Sequence, residues 1–187
     1  MSIIKTNARS ASALDATILT GNLPAISGAS LTGVSAGKVL QVVSTTKSNA
    51  FQVTCGTSQT EITGLSVSIT PASTSNKVLI LYKLMFSNSN GHGATFHFQR
   101  GGSEEILADS STGVRAFASG NVENSNSYWA FDWGGSALDT PSTTSATVYR
   151  LMVRNPVNQT ISFNRTDRFG TDDVLGVSTI TAMEIEG

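Results

Sequence analysis

The sequence predicts an all-β head, a jelly-roll-like β-sandwich of about ten strands, preceded by an extended N-terminal segment. Three observations lead there. Apolar and polar residues alternate with a period of two through most of the chain after Lys38. Turn residues punctuate these runs every 8–15 positions or so, the spacing of a two-sheet sandwich. No stretch holds a 3.6-residue apolar period long enough for a helix. Composition agrees: 26 Ser and 23 Thr stand among 187 residues, only 13% are charged, and the net charge is −1. At 39% hydrophobic the chain is too apolar and too weakly charged for a disordered protein. Two segments are predicted, residues 1–37 and residues 38–187.

The head reads strand by strand. Val39–Val43 is apolar and β-branched, and Phe51 and Val53 share a face of the next strand. Leu65–Ile69 alternates and stops before Pro71. Val78–Phe86 is apolar on both faces, which predicts a central strand or one covered by a neighbouring subunit. Phe96 and Phe98 point inward in the following strand, with Thr95, His97 and Gln99 opposite. Short strands are expected near Ile106 and over Val114–Ala118. Tyr128–Trp133 is an aromatic strand that Gly134-Gly135 is expected to end, with a turn over Leu138–Ser142. Ala146–Arg154, Thr160–Phe163 and Val177–Ile185 complete the set.

Residues 1–37 follow a different pattern. Leu-Thr-Gly occurs twice, at Leu19-Thr20-Gly21 and Leu31-Thr32-Gly33, around Pro24 and the small run Ser27-Gly28-Ala29-Ser30. The segment is apolar enough to need burial but too short and too broken by Gly and Pro to bury itself. Three copies can pool Leu19, Leu23, Ile26, Leu31 and Val34 around a common axis, where glycine permits close backbone approach. Ile3 and Ile4 form the one apolar pair ahead of this neck and are the expected anchor.

Chemical motifs are sparse. Cys55 is the single cysteine, so an intrachain disulfide is impossible, and a buried thiol is expected. His92 and His97 lie apart from any Cys or acidic cluster with metal-ligand spacing, so no metal site is predicted. No Gly-x-Ser-x-Gly elbow or dinucleotide fingerprint occurs, and the expectation is a protein without catalytic residues or cofactor. Glu104-Glu105 and Asp172-Asp173 are each adjacent, and adjacent strand residues point apart, so neither forms a glycosidase pair. There is no clustered Lys/Arg run for nucleic acid, no apolar run of membrane-spanning length and no signal-peptide pattern, which predicts synthesis in a cytoplasm. The aromatic run carries the functional interest. Alternation sends Trp129, Phe131 and Trp133 to one face, which is read first as core, since each ring buries a large apolar area, and in the functional alternative as an aromatic platform for a sugar ring. Trp133, at the expected strand end, is the candidate sugar platform, with Asp132, Asn124 and Asn126 as hydrogen-bonding partners and His92 in a nearby candidate loop. Loops 88–93, 121–127 and 164–173 are the candidate distal loops.

Residues 19–34 resemble a segment near the start of tail-fibre and other virion appendage proteins of tailed phages, marine and cyanobacterial ones especially. Gly37-Lys38-Val39-Leu40-Gln41-Val42-Val43, Ser68-Ile69-Thr70-Pro71, Ser75-Asn76-Lys77-Val78, Leu138-Asp139-Thr140-Pro141 and Ser178–Ile185 extend the resemblance in order. It implies a homotrimeric structural protein of the virion, held to other capsid or tail proteins by its N-terminal segment. The anchor-plus-sandwich layout and the absence of catalytic clusters then predict a head displayed to the host surface, where it meets a glycan or receptor. Fully extended, residues 1–37 span at most ~120–130 Å at roughly 3.3–3.6 Å per residue, which suits a short fibre or spike. A capsid decoration protein that stabilises the particle is the alternative, and a glycan-cleaving enzyme a more distant one.

Overall fold

The structure, a computed structural model, describes residues 38–88, 93–102, 104–106, 120–122, 129–168 and 174–187. The expected anchor and neck residues, Ile3, Ile4, Leu19, Leu23, Ile26, Leu31 and Val34, lie outside the described residues, as do His92, Asn124, Asn126 and the strand expected over 114–118.

Eleven strands and no helix make up the described residues: β1 (Val39–Lys47), β2 (Phe51–Cys55), β3 (Thr60–Ile69), β4 (Lys77–Ser87), β5 (Ala94–Arg100), β6 (Glu104–Ile106), β7 (Gly120–Val122), β8 (Phe131–Asp139), β9 (Thr147–Arg154), β10 (Gln159–Phe163) and β11 (Ser178–Ile185). All pair antiparallel, in two sheets. In the first, β4 is central, with β8 along one edge. Its other edge is shared by β11, opposite Lys77–Lys83, and β10, opposite Phe86 and Ser87; β1 and β2 extend these two branches. The second sheet runs β3-β9-β5-β6, with β7 also on β5.

Alternation decides which side chains enter the core. Val78, Ile80, Tyr82, Leu84 and Phe86 of β4 and Ile180 and Ala182 of β11 face Leu65, Val67 and Ile69 of β3, Phe96 and Phe98 of β5 and Tyr149, Leu151 and Val153 of β9 in one buried cluster. Aromatic rings join the sheets. Phe96 stacks on Trp133 at 4.9 Å and meets Phe86 edge-on at 4.7 Å, and Phe98 meets Tyr82 edge-on at 4.5 Å. These offset and edge contacts are the favoured ring geometries. A second tie is polar. Buried Asp139, at the end of β8, accepts hydrogen bonds from Tyr149 Oη at 2.7 Å and Arg100 Nη1 at 2.9 Å, both from the other sheet.

Two strands depart from the expected boundaries. β8 does not stop at Gly134-Gly135 but continues to Asp139, through most of the predicted turn. The glycines serve packing. A Cβ on Gly134 would lie 2.8 Å from the Tyr82 carbonyl, and one on Gly135 would lie 2.8 Å from Tyr82 Oη. Strand β3 begins at Thr60, earlier than expected, and its pairing with β9 slips between Glu61 and Ser66. Gly64, at φ 83°, sits in that bulge. The three extra residues on β3 move the buried positions from Ile62 to Leu65, Val67 and Ile69, which switches their parity.

Buried polar groups pin the ends of the first sheet. Asn164, fully buried after β10, holds φ 58°. Its Nδ2 donates to the carbonyls of Lys47 (2.7 Å) and Asn49 (3.1 Å), and its Oδ1 accepts from Ser178 Oγ at 2.6 Å. Its backbone N–H donates to Met85 O, and its carbonyl accepts from Gly176 N. At the opposite end, Glu184 accepts from Gln41 Nε2, Ala72 N and Asn76 Nδ2. Burial alone would raise its pKa. The hydrogen bonds from Asn76, Gln41 and Ala72 outweigh that and hold the carboxyl below its ordinary value. His97, expected on a polar face, is buried. Desolvation, then the nearby Arg154 charge, lowers its pKa from 6.5 to about 4. Cys55 is buried as expected, and desolvation pushes its thiol up to about 11.

Asn164→Ala should lower unfolding free energy by about 3 kcal/mol, because it strands buried backbone and hydroxyl groups. Asn164→Gly loses the same bonds but accepts the positive φ, so it should be milder by about 1 kcal/mol. Urea denaturation of both variants measures each term. Acid should act through His97 first. The unfolded chain gains that proton below about pH 6.5 and the native state only near pH 4. His97 therefore contributes its full stability above pH 6.5, and about 3 kcal/mol is lost as pH falls from 6.5 to 4. Glu184 contributes fully above its ordinary 4.5, and its share is lost as pH falls from there through its depressed native value. Denaturation curves across pH should show His97→Gln flattening the upper part of this decline only.

Candidate functional site

Along the outer side of β4, the even-numbered core positions give way to Leu79, Leu81, Lys83 and Met85. At the Met85 end lies a groove of about 510 Å³. Met85 and Phe131 contribute apolar surface, Trp129, Val174 and Leu175 stand exposed around it, and Lys83, Asp132 and Thr166 add polar groups.

Local structure explains each position. Trp129 precedes β8, and its carbonyl accepts a 2.6 Å hydrogen bond from Ser87 Oγ rather than joining the β-ladder. The strand alternation therefore does not extend back to it, and its indole is 61% exposed. The 174–176 segment lies against Met85 because residue 176 is glycine. A Cβ there would fall 1.8 Å from Met85 Sδ. The Gly176 N–H donates to Asn164 O, which fixes the segment to the end of β10, and an Arg165–Leu175 bridge holds its other side. Lys83 Nζ and Asp132 Oδ2 pair at 3.3 Å, both more than half exposed. Such a pair adds little to stability, and it leaves a cation and a carboxylate facing solvent at the groove. Thr166 is buried, and its Oγ1 has no hydrogen-bond partner among the described residues. A hydroxyl in that state is ready to donate to or accept from a ligand, since leaving it unmade is costly.

The structure separates the sequence-predicted site residues. Asp132 lies in the groove. Trp133 does not. It occupies the opposite face of β8, half-buried, with its ring 4.7 Å from Tyr82 and 4.9 Å from Phe96. The expected exposed indole is thus Trp129 rather than Trp133, because β8 runs on past Gly134-Gly135 and takes Trp133 into the sandwich. Sequence reasoning reached Thr166 only as part of the candidate loop 164–173 and missed Lys83, Met85, Val174 and Leu175. Of these only the apolar pair Val174-Leu175, set behind a polar loop, carries a signal in the sequence.

Among the described residues, no three His, Cys, Asp or Glu side chains stand together as metal ligands. A second depression of about 370 Å³ lies near Arg100, Pro141 and Arg150. Its charges are committed within the fold, Arg100 to Asp139 and Arg150 to Glu61. What the first groove can do is bind. An exposed indole, an apolar floor and three convergent polar groups suit a ligand with one apolar face and several hydroxyls.

The two tryptophans should separate cleanly on substitution. Trp129→Ala should change unfolding free energy by no more than about 0.5 kcal/mol. Trp133→Ala should cost about 3 kcal/mol through lost ring packing. Urea denaturation checks both, and acrylamide quenching should reach the Trp129 emission far more readily. No family model and no curated protein matches this sequence, so the groove itself carries the functional reading.

Proposed function

We propose that this chain is a structural subunit of a virion surface appendage, a short trimeric fibre or spike whose head binds a host-surface carbohydrate. The groove walled by Trp129 is the observation that carries the reading. A pyranose offers an apolar C–H face to an indole and hydroxyls to flanking polar groups. Trp129 supplies the platform, Asp132 accepts from ligand hydroxyls, Lys83 donates, and Thr166 Oγ1 completes the polar edge. The site combines residues of β4 and the start of β8 with residues from the connections before β8 and β11, and binding residues concentrate on such loops.

Strand order supports the jelly-roll part of this reading. After β3 the chain crosses to β4, returns for β5–β7, crosses to β8, returns for β9, and ends in β10 and β11 beside the first two strands. The closing strand β11 lies between β1 and β4, a non-sequential order like that of Greek-key sandwiches. The trimeric part rests on the two Leu-Thr-Gly units and on the resemblance of residues 19–34 to phage appendage proteins. Three linked heads raise a weak single-site affinity through effective concentration.

A glycan array and host-cell binding, both with the full chain, test the function. Binding to one class of neutral or mildly charged hexopyranoside is expected, weakened at least ~10-fold by Trp129→Ala or Asp132→Asn. Unchanged binding in both variants would remove the groove from the reading. No carbohydrate or cell binding, with virions lacking the protein adsorbing normally but rupturing under heat, would make it a decoration protein instead.

A further inference from the structure

The outer face of the first sheet carries a second apolar feature, beyond the Lys83–Asp132 pair that borders the groove. Register places Leu138 of β8 opposite Leu79 of β4, Leu79 opposite Met183 of β11, and Met183 opposite Val42 of β1. The row crosses four neighbouring strands, and no charged residue interrupts it. Leu138 and Val42, at its two ends, are 52% and 55% exposed. Leu81 widens it on one side, and Ile185 with Val39 opposite it on the other, all on the same outer face. An antiparallel sheet with one face in water ordinarily places polar residues there. A contiguous outward apolar stripe across four strands marks an interaction surface.

We infer that this face is covered by a second copy of the same chain, and the inference rests on the trimeric reading above. Two features select that occupant. First, residues 1–37 lead directly into Lys38, and Val39 and Val42 of β1, opposite Ile185 and Met183, lie on this face. Chains gathered through residues 1–37 would, by continuity of the sequence alone, bring their β1 strands and this stripe close together. Second, the charge is self-compatible. Lys38 pairs with Glu186 at 3.7 Å at one margin and Lys83 with Asp132 at 3.3 Å at the other, so both margins are neutralised. Lys77, opposite Ile185, stands at the end of the stripe. Copies meeting through the row face no large like-charge penalty. Leu138, Leu79, Met183 and Val42 then form the apolar centre of an interface of roughly 800 Å² per partner, with Ser44, Thr181 and Ser136 as its polar rim.

The full chain tests this by native mass measurement together with photo-crosslinking. Benzoylphenylalanine is placed singly at Val42, at Leu138 and, as a control, at exposed Val157 in the β9–β10 turn. The expected result is a trimer that cross-links through positions 42 and 138 and not through 157. The double variant Val42→Glu with Leu138→Lys should keep the wild-type circular dichroism, since both positions are exposed in the single chain. It should raise the concentration of half-dissociation at least ~10-fold. A trimer without cross-links at 42 and 138, and with unaltered dissociation in the double variant, overturns this face and leaves the trimeric reading intact. A dimer cross-linked at 42 and 138 supports the face and overturns the threefold reading. A monomer at micromolar concentration that gives no cross-link overturns both.

Discussion

Asn164 is the constraint on which one end of the head depends. It sits in the left-handed region, where asparagine is among the few residues tolerated besides glycine, and all of its polar groups are engaged. Through five hydrogen bonds it ties the β1–β2 turn, the end of β4, the 174–176 segment and the first residue of β11 to the end of β10. Ser178 closes the network by donating to Asn164 and accepting from the Met85 N–H at 3.1 Å. Because the network is buried, each bond is strong, and each lost partner leaves another group unsatisfied. The groove depends on it directly. Met85 is held at its backbone and Gly176 is held above the Met85 side chain, so the apolar floor and the Val174-Leu175 wall share one support.

The rest of the head rests on agreement between packing and polar closure. Aromatic rings from both sheets interlock across the centre, and Asp139, Arg100 and Tyr149 cross from one sheet to the other at the edge. Glu184 does comparable work within the first sheet and the 70–76 turn. It anchors the turn's Ala72 and Asn76 to β11, and Gln41 of β1 to both. This division leaves the outer face of β4 free of structural duty. One half of that face is the groove with its charged pair, and the other half is the apolar row that ends on Val42. The groove and the apolar row thus occupy different parts of one surface, and either is open to change without disturbing the core.

Much of the fold was legible from alternation. The clean runs at Leu65–Ile69, Val78–Phe86, Ala146–Arg154 and Val177–Ile185 are strands, and the two-sided Val78–Phe86 is the central strand β4. Failures fell where a local signal had a non-local cause. Gly134-Gly135 read as a terminator, since glycine usually marks a turn. Here the close approach of the Tyr82 backbone and ring, 52 and more residues away in sequence, demands the missing Cβ atoms. Gly64 hid the first half of β3, because a bulge reverses the parity on which alternation is read. His97 read as polar surface because the residues that bury it belong to other parts of the chain.

By itself the sequence determined the all-β class, the strand-rich order and the burial of the apolar alternating faces. These follow from period, turn chemistry and composition, which are local properties. Tertiary structure decided which tryptophan is exposed and which polar groups converge at one groove. It also decided that Leu138, Leu79, Met183 and Val42, scattered over the whole head, form one row. The physical reason is register. A strand's own sequence says which residues share its face, but only pairing with specific neighbours says what stands beside them.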